Sequence, residues 1–138
     1  MDKNNKNRKW TFRVLGGVLL FVGIGGIAGG VPLVLDPSGA SLGMDLAVLT
    51  NSPFSTYLVP GFVVLIVNGL LPCVLAIAAF RQHRRTAEIG IVFGLWLIGY
   101  MIAQIWWIGL IAGIQYLFSI VGIVTLFLGI LGRRQIRI

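Results

Sequence analysis

The run VLGGVLLFVGIGGIAGGVPLVL, residues 14–35, carries no charged side chain. As a helix rising 1.5 Å per residue it would extend about 33 Å, close to the hydrocarbon thickness of a bilayer. Uncharged stretches longer than roughly 18 residues read as membrane-spanning helices. A basic start before an apolar run also describes a secretory signal, and Ser38-Gly39-Ala40 offers the small residues of a cleavage site. The run nevertheless exceeds the roughly 7–15 residues of a signal's apolar region. An uncleaved first span is the better reading.

Working outward, residues 57–80 form a second run, with Pro60-Gly61, Asn68-Gly69 and Pro72 inside it. Pro72 predicts a kink, which spans tolerate when neighbours satisfy the freed carbonyl. The apolar block after residue 88 is too long for one span and suits two, 89–110 and 115–132. Gly109, Gly113 and Gln115 interrupt it, which puts the turn near 111–115. The expected fold is all-α: one integral membrane four-helix bundle over residues 14–132, with a loop at 36–56 and a short connection at 81–88. Residues 1–13 and 133–138 are expected to be basic tails, the first ten residues without structure.

Composition agrees. Of 138 residues, 57% are hydrophobic and 11% charged, and the mean hydropathy is +0.95. Soluble domains are about 45–50% apolar and about 25% charged, so a water-soluble fold is excluded. A net charge of +7 would point to nucleic acid if read alone. All eleven Lys and Arg, however, lie in three segments that flank apolar runs: Lys3, Lys6, Arg8, Lys9 and Arg13; Arg81, Arg84 and Arg85; Arg133, Arg134 and Arg137. These are topology signals and contacts for anionic lipid headgroups, and no nucleic-acid partner is expected. Residues 36–56 and 109–115 carry none of the eleven, so the positive-inside rule puts both termini in the cytoplasm. Trp10 near the inner boundary, and Tyr57, Trp106, Trp107 and Tyr116 near the outer one, fit aromatic belts.

Within the spans, glycine carries the clearest pattern. Gly25/Gly29 and Gly26/Gly30 are overlapping G-x-x-x-G pairs in the first helix, Gly90/Gly94 is another in the third, and Gly122 and Gly129 share a face of the fourth. Small residues let helix backbones approach closely in lipid. Two readings follow: a dimerisation face, or close packing inside the bundle, and the second carries more weight. A phosphate site is excluded because it needs a solvated helix N-terminus.

A second pattern is polar. Asn68, Tyr100 and Thr125 fall near the middle of their spans, and Phe93, Trp96, Tyr100, Gln104 and Trp107 share one face of the third helix, which brings Gln104 beside Tyr100. These four polar residues are a candidate intramembrane layer. It would line a ligand site or pore, or, on the plainer and weightier reading, make interhelical hydrogen bonds worth around 0.6 kcal/mol each.

Absences narrow the function. No Asp, Glu, Lys, Arg or His lies inside a span, which disfavours ion coupling and proton-driven export of the kind that uses an embedded Glu. His83 stands alone among arginines, and Cys73 is the sole cysteine, inside an apolar run. Neither a disulfide, a metal site nor a nucleophilic centre has its parts, and no catalytic residue or cofactor is expected. Four-helix fluoride channels share a Gly-rich first helix and an Asn in the second. Their Phe- and Thr/Ser-rich track in the third is missing here, and the one-sided charge bias opposes dual insertion.

Asp36-Pro37-Ser38-Gly39 has the composition of a type I turn, and residues 44–49 suit a short helical turn on the membrane surface. Asp36 is expected to cap the first and Asp45 to begin the second. At 21 residues the loop exceeds what joining neighbouring helices requires. Leu35-Asp36-Pro37-Ser38-Gly39, then Ser52-Pro53-Phe54, Tyr57 and Pro60-Gly61, resembles a pattern in small multi-pass membrane proteins of bacteria to which no activity is assigned. The resemblance implies the bacterial cytoplasmic membrane and the same four-helix layout.

The expected role is therefore non-enzymatic: an accessory, regulatory or scaffold protein acting through contacts with another membrane protein. The alternative is a homo-oligomeric channel or facilitator for a small solute, closed around Asn68, Tyr100 and Gln104.

Overall fold

The computed structural model describes residues 2–109 and 113–137, and all regular structure among them is helical. Four helices are long and apolar enough to cross a membrane, within Lys3–Leu35, Leu58–Phe80, Thr86–Ile108 and Gln115–Arg137. They alternate in direction, so both termini reach one end, where Asn4 Nδ2 donates to the Gln135 carbonyl at 3.4 Å. The opposite end bears residues 36–57 and is called the loop end below. Phe21, Ile24, Val74, Ile77, Val92, Ile123 and Phe127 all point outward and are exposed. An outer surface this apolar suits lipid rather than water.

The helices outrun the apolar stretches that announce them. The first begins at Lys3 rather than Val14, because the Asp2 side chain accepts the Asn4 N–H at 3.3 Å and caps it. Residues 3–10, expected to be without structure, are helical, and Thr11 and Phe12 of the expected basic tail are buried helical residues. The third helix starts at Thr86, not 89, and Thr86 and Ala87 pack inside. The fourth continues past Gly132 to Arg137, with Arg134 and Arg137 in its last turn, where cations favour the helix dipole. Hydropathy marks where apolar side chains stop, whereas backbone hydrogen bonding runs on into polar sequence. Of the turn expected near 111–115, residues 111 and 112 lie outside the described residues, and residues 113–115 are helical rather than turn. Before it, Gly109 ends the third helix at φ 76° and ψ 177°, a positive-φ backbone open to glycine because it has no β-carbon. After it, the fourth helix is already formed at Gly113.

The second helix is α-helical over Leu58–Leu65 and Leu71–Phe80, with a π-turn at Ile66–Leu70 between them. Pro72 has no N–H to return to the Asn68 carbonyl. The Leu71 N–H bonds back five residues to the Ile66 carbonyl, so the expected kink takes the form of a wide turn.

Packing depends on glycine. A β-carbon at Gly26 would collide with the Asn68 carbonyl oxygen, and one at Gly30 would stand 2.5 Å from the Leu65 nitrogen. One at Gly94 would stand 2.7 Å from the Leu126 nitrogen, and one at Gly129 2.8 Å from that of Ile91. The first helix thus meets the second, and the third meets the fourth, backbone to backbone. Leu15, Leu19, Val22, Leu75, Phe93 and Leu97 fill the core between these pairs toward the terminal end.

Candidate functional site: a cleft beneath the loop

The loop is folded. Asp36 Oδ1 accepts the Ser38 hydroxyl at 2.6 Å and the Ser38 N–H at 3.3 Å, and Oδ2 accepts the Ser41 N–H at 3.2 Å. The Ser38 hydroxyl, the largest influence, holds the Asp36 carboxyl below its usual range. Asp45 Oδ1 accepts the Ala47 N–H at 3.0 Å and caps the 3-10 turn Leu46–Leu49. Each acid is therefore occupied by its own turn. The Tyr57 hydroxyl donates to the Asp45 carbonyl at 2.7 Å while its ring covers Gly39. Tyr57 is buried by these contacts, whereas Trp10, Trp106 and Tyr116 are exposed. Leu33, Leu49 and Tyr57 make a small core with Met44, Phe54 and Ile108, and Phe54 meets Trp107 edge to face at 6.0 Å.

Under this cap, the second and third helices form a fork. They touch along Leu71–Phe80 and separate along Leu58–Leu65. At the branch point Trp96 Nε1 donates to Asn68 Oδ1 at 3.0 Å. Between the prongs is a cavity of about 530 Å³. Pro60, Val63 and Val64 line one wall, and Trp96, Gly99, Tyr100, Gln104 and Trp107 the other, with Met44, Leu49 and Phe54 above. Small-molecule sites range over roughly 300–1,000 Å³. A second cavity of about 200 Å³ lies behind it among all four helices, lined by Gly25, Gly29, Asn68 and Gln115 among others. Tyr100 and Gln104 line both, and they pair through their side chains one turn apart.

Of the four residues expected in a polar layer, Asn68, Tyr100 and Gln104 do gather around the smaller cavity. Thr125 does not. It is fully buried and donates to the Val121 carbonyl of its own helix at 2.8 Å. Gln115 takes its place, buried, with Nε2 donating to the Gly109 carbonyl at 3.2 Å. In the sequence Gln115 reads as an interruption at a turn; its position at the start of a span, followed by apolar residues, is the signal for a polar group inside the bundle. Among the candidate glycines, Gly26, Gly30, Gly90 and Gly94 face neighbouring helices, with a β-carbon at Gly90 3.5 Å from Leu15. Gly25 also faces a neighbour, a β-carbon there standing 3.1 Å from the Phe118 ring, and Gly25, Gly26 and Gly29 together border the smaller cavity.

The lining holds no carboxylate, amine, imidazole or thiol. Among the described residues no group of His, Cys, Asp and Glu is placed to hold a metal ion. The arrangement can bind and orient an uncharged molecule by hydrogen bonds and aromatic contact. Comparison with protein-family models, curated proteins and solved structures finds no match for the chain.

Proposed function

We propose that the chain is a non-enzymatic, multi-pass protein of a bacterial cytoplasmic membrane that acts by contact, in an accessory or regulatory role toward another membrane protein. Both termini are cytoplasmic in this reading, and the loop end faces outward. Support for the orientation comes from the eleven Lys and Arg, all of which lie at the terminal end, in the outer turns of the first and fourth helices or in the connection between the second and third. Reporter fusions at Met1 and Ile138 test it, and an external signal from either would reverse it.

One observation carries the functional reading. The glycine faces are consumed inside the bundle, while the cleft beneath the loop stays unfilled. Contact therefore falls to the face around the cleft, its cap included, not to a G-x-x-x-G dimer face. Purification in mild detergent from native membranes, with stoichiometric mass spectrometry, tests this. A different membrane protein at a fixed ratio is expected. A homo-oligomer without a companion would overturn the accessory role in favour of the channel reading, with solute flux in liposomes as its own test.

A further inference from the structure

We infer that the cleft between the second and third helices is a binding site for one uncharged, chain-bearing lipid with hydroxyl or carbonyl groups in its head. The inference rests on the cleft being the working surface, as proposed above.

Size selects the occupant first. A cavity of about 530 Å³ holds a small molecule, whereas an α-helix with side chains is about 10–12 Å across and would have to spread the prongs. Charge selects next. No ionisable side chain except tyrosine lines the cavity, so a buried phosphate or carboxylate head would find no counter-charge and bear a large desolvation penalty. Polar groups then fix the head. Tyr100 and Gln104 sit at the partition between the two cavities, and a carboxamide can make more hydrogen bonds than one tyrosine hydroxyl uses. Trp96 is committed to Asn68 and forms the floor. The chain would run out between Pro60, Val63 and Leu95, the last of these exposed at the mouth. Entry is sideways, from the bilayer.

Gly99 supplies the discriminating variant. It lines the cavity, and a β-carbon there meets nothing within 4 Å, so Gly99→Leu begins its side chain clear of every neighbouring helix and narrows the cleft. The test places the full chain, with Trp10→Phe and Trp106→Phe, in phosphatidylcholine vesicles. Dibrominated diacylglycerol is titrated in, and quenching of Trp96 and Trp107 is followed. The expected result is saturable quenching, weakened about ten-fold or more by Gly99→Leu and by the pair Tyr100→Phe, Gln104→Leu. Quenching that rises without saturation, or is unchanged in both variants, overturns the inference, as does equal quenching by brominated phosphatidylglycerol. Protection of the two tryptophans by a co-purified companion protein, with no lipid effect, overturns it as well, while leaving the accessory role standing. Conversely, saturable quenching in a chain that purifies without a companion upholds the lipid site and removes the accessory role.

Discussion

The indole N–H of Trp96 donates to the side-chain oxygen of Asn68 at 3.0 Å, joining the third helix to the second at the point where they separate. Asn68 lies inside the π-turn and is buried, so the bond is screened from competing solvent. Interhelical hydrogen bonds of this kind average around 0.6 kcal/mol and reach about 1.7. A double-mutant cycle with Asn68→Leu and Trp96→Phe, read by thermal unfolding in detergent, is expected to return a coupling in that range. Additive effects would mean that the two side chains do not support each other.

Glycines on the first helix should divide sharply by position. Gly26→Ala drives a methyl into the Asn68 carbonyl and is expected to lower stability by about 1–3 kcal/mol, in the manner of an overpacked core. Gly17→Ala meets nothing within 4 Å and should be neutral or raise stability by up to about 1 kcal/mol through helix propensity. Equal melting temperatures for the two would contradict the backbone contact described here.

At the terminal end, the Thr86 hydroxyl is buried and finds no partner among the described residues. A buried hydroxyl without a hydrogen bond is destabilising by about 1–3 kcal/mol. Thr86→Val keeps the shape and removes the polar atom, so its melting temperature should rise. A fall would reveal a bond that the hydroxyl makes in the bilayer.

The loop has its own titration. Asp36 is held below its ordinary value of 3.8 chiefly by the Ser38 hydroxyl, so it binds its proton more weakly folded than unfolded. Its contribution to the turn is complete above 3.8 and is lost as pH falls through the lowered folded value. Ser38→Ala should move the Asp36 midpoint upward, as followed by carboxyl carbon chemical shifts across the acid range. An unmoved midpoint would remove the hydroxyl as its cause.

The four long helices were legible from charge-free runs, since lipid leaves few other uses for such sequence. Their true ends were not, because Asp2 caps the first helix eleven residues before Arg13, the last basic residue preceding Val14. Counting residues places Asn68 and Tyr100 at mid-span, helical spacing sets Gln104 one turn beyond Tyr100, and the three share a cavity. Thr125 was counted to the same depth, but a threonine in a helix often satisfies itself on the preceding turn, and this one does. The fork was invisible. Nothing in Leu58–Leu65 or in the third helix distinguishes an apolar wall facing a cavity from one facing a neighbour.

The π-turn at Ile66–Leu70 divides the second helix into two segments with independent registers. One surplus residue turns everything beyond it by about 100° relative to an unbroken α-helix. The Leu71–Phe80 segment is thereby aimed at the first and third helices, while Pro60, Val63 and Val64 are aimed into the cleft. Deleting a single residue between 66 and 70 would yield a straighter and more regular helix that faces the wrong way on one side. Length at this position is thus as constrained as side-chain identity, and homologous chains that keep the cleft should vary their residues here far more readily than their number.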